Sequence, residues 1–329
     1  MPGATHGAGA TDGPAPWGRV GTEGGPGIDG PRELRHVSRF SHEAMATVFE
    51  VYAVHPDERY AAQAAQAAFD LVDRLERELS RFVPNSDIAR INHLAAGEHT
   101  HVSPSTLECL EIARHIFDAT NGVFDVSIGT GLPSLDLDPH DCLVRAGKDG
   151  VQVDLGGIGK GYAVDLMAEL LEEWELERTL VHGGFSSVLA LDAPPDHDGW
   201  PLTLSDPGTR HQQLHRVSAR QTAIGASGLV KGDHIVDPRT GRPARGHVAA
   251  WAAVPRPEVA RADAPHEEGP RIAAAAVADA LATAFVLMSP EEIDQLCARS
   301  PGLQAWILPK AAGGPRETIQ LLHVGGSAG

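Results

Sequence analysis

The alternation of apolar and polar positions divides this chain into recognisable elements. Residues Phe40 to Val54 read as a strand, with Met45 just before the run from Thr47 to Tyr52. From about Glu58 to Ser80 the period changes to that of a helix, with Ala65, Phe69, Val72, Leu75 and Leu79 on one face. Ser86 is placed to cap a short helix. Ser103 followed by Pro104 opens a longer one, which ends at Asn121-Gly122. A strand is expected to begin near Val151 and to pass through a glycine-rich loop into a helix. That helix carries Ala163, Leu166, Met167, Leu170, Leu171 and Trp174 at amphipathic spacing. Strands are then predicted at Thr179–His182, Ser187–Leu191, Pro201–Leu204 and Val248–Val254. A mostly apolar helix follows at about Ile272–Met288, and the capping box Ser289-Pro-Glu-Glu292 starts another. Gln304–Leu308 and Thr318–His323 read as closing strands. Helices interspersed with antiparallel-type strands predict an α+β fold.

Composition narrows the picture. The chain has 329 residues and an ordinary apolar fraction. Its formal net charge is −17 and it has no basic stripe, which argues against nucleic acid or an anionic membrane as partner. Cys109, Cys142 and Cys297 are too few and too scattered for a disulfide framework or a zinc cluster. Residues 1–36 are rich in Gly, Ala and Pro, have no apolar core of a signal peptide, and read as a disordered tail. No run approaches transmembrane length, so the expectation is a cytoplasmic chain without a membrane anchor. Residues 37–325 would form the folded domain. Within it, the polar, proline-rich stretch 256–271 reads as a mobile loop.

The loop in VDLGGIGKGYAVD, which ends at Asp165, has the outline of a phosphate-binding turn. It is not a Walker A loop, because Gly159-Lys160 is followed by Gly161 and the first glycine position holds Asp154. It is not a dinucleotide fingerprint either, because the last glycine position falls on Tyr162. Its glycines and the helix start after them suit an anion, and they suit equally a plain turn that needs positive φ. Asp279 and Thr283 share one face of an otherwise apolar helix. They are placed either to hold a hard cation or to lie on a solvated face, with Asp279 paired to an arginine. His234 opens HIVDPRTGRP, a strand followed by a tight turn, and is either a base near neutral pH or structural. Asp125 in NGVFDVSIG either accepts hydrogen bonds from a ligand or caps its own turn. VHGGFSS, at Val181–Ser187, is a second glycine pair.

In order along the chain, SRFVPNSDIARIN, NGVFDVS, VDLGGIGKGYAVD, VHGGFSS, Ser227-Gly228, HIVDPRTGRP and ADALATA resemble the ApbE-type FAD:protein FMN transferases over about residues 38–325. DLGGIGKGYAVD and HIVDPRTG are the most specific segments. The resemblance implies an α+β fold related to tunnelling-fold proteins, with FAD as substrate in a cleft. It implies transfer of FMN to a Thr or Ser hydroxyl of an acceptor protein bearing a flavinylation motif, through a phosphoester, with loss of AMP and a requirement for Mg²⁺. It further implies that Asp279, Thr283 and the Gly157 carbonyl hold the metal. Met45, Phe82, Val123, Phe124, Asp125, Asp154 and Lys160 would line the FAD site, and His234 would deprotonate the incoming hydroxyl. Phe82 stands where other members often carry tyrosine. An alternative within the same resemblance is an FAD-binding or flavin-trafficking protein with weak FAD pyrophosphatase activity.

Overall fold

The computed structural model describes residues 27–29, 34, 36–207, 212–229, 235–256, 273–310 and 321–325. The first half of the chain comprises β1 (Gly27–Asp29), β2 (Ser38–Ala44), β3 (Thr47–Ala53), α1 (Glu58–Leu79), α2 (Asp87–Ile91), β4 (His99–His101), α3 (Pro104–Ala119), β5 (Leu135–Asp138), β6 (Leu143–Ala146) and α4 (Gly159–Glu173). The second half is richer in strands. It comprises β7 (Thr179–Gly183), β8 (Ser187–Ala190), β9 (Trp200–Ser205), β10 (Gln213–Ala219), β11 (Thr222–Gly228), β12 (Val236–Asp237), β13 (Arg242–Pro243), β14 (His247–Pro255), α5 (Ala274–Leu287), α6 (Pro290–Arg299), β15 (Gln304–Pro309) and β16 (Leu322–Val324).

Eight strands form one sheet in the order β16-β15-β14-β11-β8-β7-β3-β2, and every neighbouring pair is antiparallel. Helices α1, α4 and α5 pack on one face. The three-stranded sheet β1-β9-β10 covers the other face. Burial on both sides explains why these strands read as apolar runs. Within the runs, alternate residues go to different cores. Ala250 and Ala252 of β14 face the helices, whereas Ala249 and Trp251 face the small sheet.

Beneath α5 the helix-side residues of β11 and β14 are small, because α5 lies almost on the sheet backbone. A Cβ on Gly225 of β11 would overlap the carbonyl of Ala278, and a Cβ on Gly161 of α4 would overlap that of Ala275. Both glycines are there for close approach, which explains the run of alanines in α5. Neither they nor the loop glycines Gly156, Gly157 and Gly159 adopt positive φ.

Several expectations change. Phe40–Val54 is a hairpin, because Met45 (φ 49°) and Ala46 (φ 56°) form a two-residue turn between β2 and β3. The expected strand near Val151 has no sheet partner; it is irregular chain held mainly by side chains. The Asn92 amide pairs both ways with Val153, accepting from its N–H (2.6 Å) and donating to its carbonyl (2.9 Å). Gln152 N–H donates to Thr130 Oγ1, and Asp154 N–H to the Val126 carbonyl (2.8 Å each). The disordered-tail reading fails at Gly27–Asp29. There Ile28 is fully buried, its N–H donates to the Phe185 carbonyl (2.9 Å), and its carbonyl accepts from His182 Nε2 (2.7 Å). The rest of residues 1–33, and 257–271 of the expected loop, lie outside the described residues. The capping box at Ser289 and Glu292 forms as read.

Candidate functional site

The loop before α4 and the middle of α5 meet above the helix-side face of the sheet. Loop and helix are joined by one buried carboxylate. Asp279 is 3% exposed, and its Oδ2 accepts from Gly161 N–H at 3.2 Å and from Lys160 Nζ at 3.4 Å. Lys160 Nζ also donates to the Gly156 carbonyl at 3.1 Å, which ties the lysine across its own loop. Burial pushes the Asp279 carboxyl above the usual carboxylate range. Lys160, the Gly161 N–H, and the Ser187 hydroxyl at the start of β8 pull it back. The solvated-face alternative for Asp279 is therefore excluded, and its cationic neighbour is a lysine, not an arginine.

One turn further on, Thr283 Oγ1 donates to the Asp279 carbonyl (3.3 Å) and lies 3.4 Å from Ser227 Oγ on β11. A Cβ placed on Gly157 would lie 3.7 Å from Thr283 Oγ1 and 3.4 Å from the Phe124 ring. The fold thus gathers Gly157, Lys160, Asp279 and Thr283, with Phe124 against the loop. Asp279, Thr283 and Gly157 offer one carboxylate, one hydroxyl and adjacent backbone, the hard oxygen donors that Mg²⁺ accepts when ligand phosphates complete its shell. Among the described residues no group of three or more His, Cys, Asp or Glu is placed to hold a metal.

Two other residues from the sequence reading form the loop's outer edge. Asp154 accepts from Gly156 N–H (2.9 Å) through Oδ1 and pairs with Arg81 Nε (3.0 Å) through Oδ2. The Arg81 guanidinium stacks over Phe82, 4.4 Å from the ring centroid. Phe82 is 61% exposed, so much of the ring's surface faces the outside of the loop. Arg81 went unnoticed in the sequence; its position next to Phe82 was the available signal.

The remaining residues play different parts. Asp125 uses both oxygens inside its own loop, accepting from Ser127 N–H and Oγ (2.8 and 2.7 Å) and from Gly129 N–H (2.8 Å). The turn-capping alternative describes it. Val123 is buried in the main core. Met45, half-buried, leads the turn into β3, where Gly184 N–H donates to the Val48 carbonyl (2.9 Å). His234 lies outside the described residues. The turn after it is well defined. Asp237 Oδ1 accepts from Arg239 N–H (2.9 Å), and the arginine side chain holds the Asp237 carboxyl below its usual range. A Cβ on Gly129 would lie 3.2 Å from the Pro238 carbonyl, so this turn touches the Asp125 loop.

Comparison with known proteins gives the family and the fold. The ApbE family model matches residues 45–133 and 130–265. The FAD:protein FMN transferase of Treponema pallidum is 27% identical, over 83% of this chain and 85% of the relative. That of Klebsiella pneumoniae is 23% identical, over 83% and 84%. Among solved structures, the flavin transferase ApbE from Vibrio cholerae superposes with a TM-score of 0.71 at 19% identity, covering 88% of this chain and 97% of that one. The apo form of Pseudomonas stutzeri flavinyl transferase ApbE gives 0.71 at 20%, covering 88% and 94%. At these identities the structural likeness establishes a shared fold.

Proposed function

The chain belongs to the ApbE family, and on that premise we propose that it is an Mg²⁺-dependent FAD:protein FMN transferase. The observation that carries this reading is the meeting of Asp279 and Thr283 with the Gly156–Gly161 loop, around a carboxylate that is buried and only loosely paired. A buried acid is costly without a compensating cation, and a lysine at 3.4 Å compensates only in part. Mg²⁺ would be held by Asp279, Thr283 and the Gly157 carbonyl. Bound there, it would supply positive charge against a diphosphate under attack.

The chain's own groups divide the remaining work. Lys160 and the backbone N–H groups at the start of α4 favour an anion. Phe82, Phe124 and Met45 offer apolar walls to a flavin ring, with Asp154 fixing the loop between them. The acceptor's hydroxyl oxygen forms a bond to the FMN-side phosphorus, the bond from that phosphorus to the bridging oxygen breaks, and AMP leaves with the oxygen. His234 takes the hydroxyl proton, a role worth typically about 10²–10⁴-fold in rate. The acceptor would be a protein with a Ser/Thr-Gly-Ala-Thr-type stretch. Among the described residues no helix is long and apolar enough to cross a membrane. The three cysteines are free, as a reducing compartment leaves them, and we assign the reaction to the cytoplasm.

The test is AMP release from FAD by the purified chain, with an acceptor peptide present, with and without Mg²⁺. Release that requires the metal, together with FMN on the peptide's threonine, is expected. Tight FAD retention without AMP would overturn the reading in favour of a flavin-binding or trafficking protein.

A further inference from the structure

Helix α5 begins without a cap of its own. Its N-cap residue is Ala273, whose side chain accepts no hydrogen bond. The missing acceptor comes from another helix. Asp165, on α4 and 4% exposed, accepts from Ala275 N–H at 2.9 Å through Oδ1 and from Ala276 N–H at 2.8 Å through Oδ2. One carboxylate therefore satisfies two of the orphan donors at the start of α5, and its charge faces the positive end of that helix.

Asp165 has a companion. Glu172 lies seven residues on, two turns along the same face of α4. It holds Arg256 through two contacts of 2.6 Å. So α4 grips the last described residue before 257–272 and, through Asp165, the first turn of the helix that follows. The grip is backed by the close approach of Gly161 to Ala275. Asp279 lies one turn beyond Ala275 and Thr283 one turn beyond that. A slide of α5 along its axis would carry both.

We propose that Asp165 is a positioning residue for the transferase: by capping α5 from α4, it sets where Asp279 and Thr283 stand against the Gly156–Gly161 loop. This rests on the functional reading above. It assigns a task to the acid that closes the glycine-loop segment.

The test compares Asp165→Asn, which keeps the shape but offers Ala276 a donor in place of an acceptor, with Asp165→Glu and with the control Leu296→Ala in the buried face of α6. Amide exchange at Ala275 and Ala276 should accelerate at least tenfold in Asp165→Asn and stay at the parent rate in the control. The Mg²⁺ concentration giving half-maximal AMP release should rise at least tenfold in Asp165→Asn. The KM for FAD at saturating Mg²⁺ should change less than threefold. Asp165→Glu should recover part of both effects. Parent-like exchange in Asp165→Asn, or an equal rise in Mg²⁺ requirement in Leu296→Ala, overturns the proposal. If the parent itself neither binds FAD with Mg²⁺ nor releases AMP, the functional reading falls, and the exchange rates still decide whether Asp165 caps α5.

Discussion

The two faces of the eight-stranded sheet are built on opposite rules. Toward the small sheet the strands present bulk, with Trp251 and Trp306 packed against Ile28, Trp200, Leu202 and Leu204. Toward the helices the central strands present Ala223, Gly225, Ala250 and Ala252, and α5 comes down until backbone nearly meets backbone. The first face gains stability from apolar area. The second gives up area for position, and only there do an acid and a hydroxyl stand within reach of a glycine loop. Side-chain volume tolerates repacking. A backbone contact does not, because no rotamer can relieve an overlap with a carbonyl.

The comparison breaks most visibly if the acid is removed. Asp279→Ala should lower Mg²⁺-dependent AMP release by about a thousandfold, at the upper end of what losing one electrostatic stabiliser costs. Thermal unfolding of the ligand-free variant should stay cooperative. Trp251→Ala, on the opposite face, should cost about 3–5 kcal/mol in denaturant unfolding. The KM for FAD of whatever remains folded should stay within about twofold of the parent. Gly161→Ala tests the helix side more gently. Alanine gains about 1 kcal/mol in helix propensity, but the overlap with Ala275 opposes it by roughly 1–3 kcal/mol. Because the overlapping atoms are backbone, the net result should be a clear loss of stability, with a loss of turnover still larger in proportion. Equal proportions of stability and activity loss for Gly161→Ala and Trp251→Ala would remove the distinction between the faces.

The smallest effect concerns the far end of α5. His247 Nε2 donates to the Met288 carbonyl (3.0 Å), and burial lowers its pKa below 6.5. Its contribution to stability is present above pH 6.5 and is lost as pH falls toward the folded value, since the unfolded chain then binds the extra proton. His323, lowered by burial and by His215, acts in the same window. His247→Gln should flatten the pH dependence of stability between about pH 5 and 6.5 by less than about 1.4 kcal/mol per unit, leaving the His323 part. Asp87 and Asp237, both lowered, act only below their usual range near 3.8, whereas Asp279 and Glu111, both raised by burial, lose stability as pH rises above their usual range and do so equally in parent and variant.

How much of this was legible depended on the kind of force involved. The amphipathic helices and the capping box at Ser289 were readable because period and cap are local. The β2–β3 turn was not, because Met45-Ala46 carries no glycine or asparagine to announce positive φ. The stretch before the glycine loop read as strand, yet its hydrogen-bond partners are Asn92, Thr130 and Val126, a tertiary fact. Strands β10 and β11 went unread. The first is a polar edge and the second is made of small residues chosen for the approach of α5. The likeness to a family supplied the candidate site residues, while the reason for Gly161, Gly225 and Asp165 lay in contacts far apart in sequence.

The most direct measurement of the central claim is anomalous diffraction from crystals grown with FAD and Mn²⁺ in place of Mg²⁺. The account predicts a peak at roughly 2.1 Å from Asp279, from Thr283 Oγ1 and from the Gly157 carbonyl oxygen together. A flavin diphosphate bound with its metal elsewhere, or a peak out of reach of all three, would contradict it.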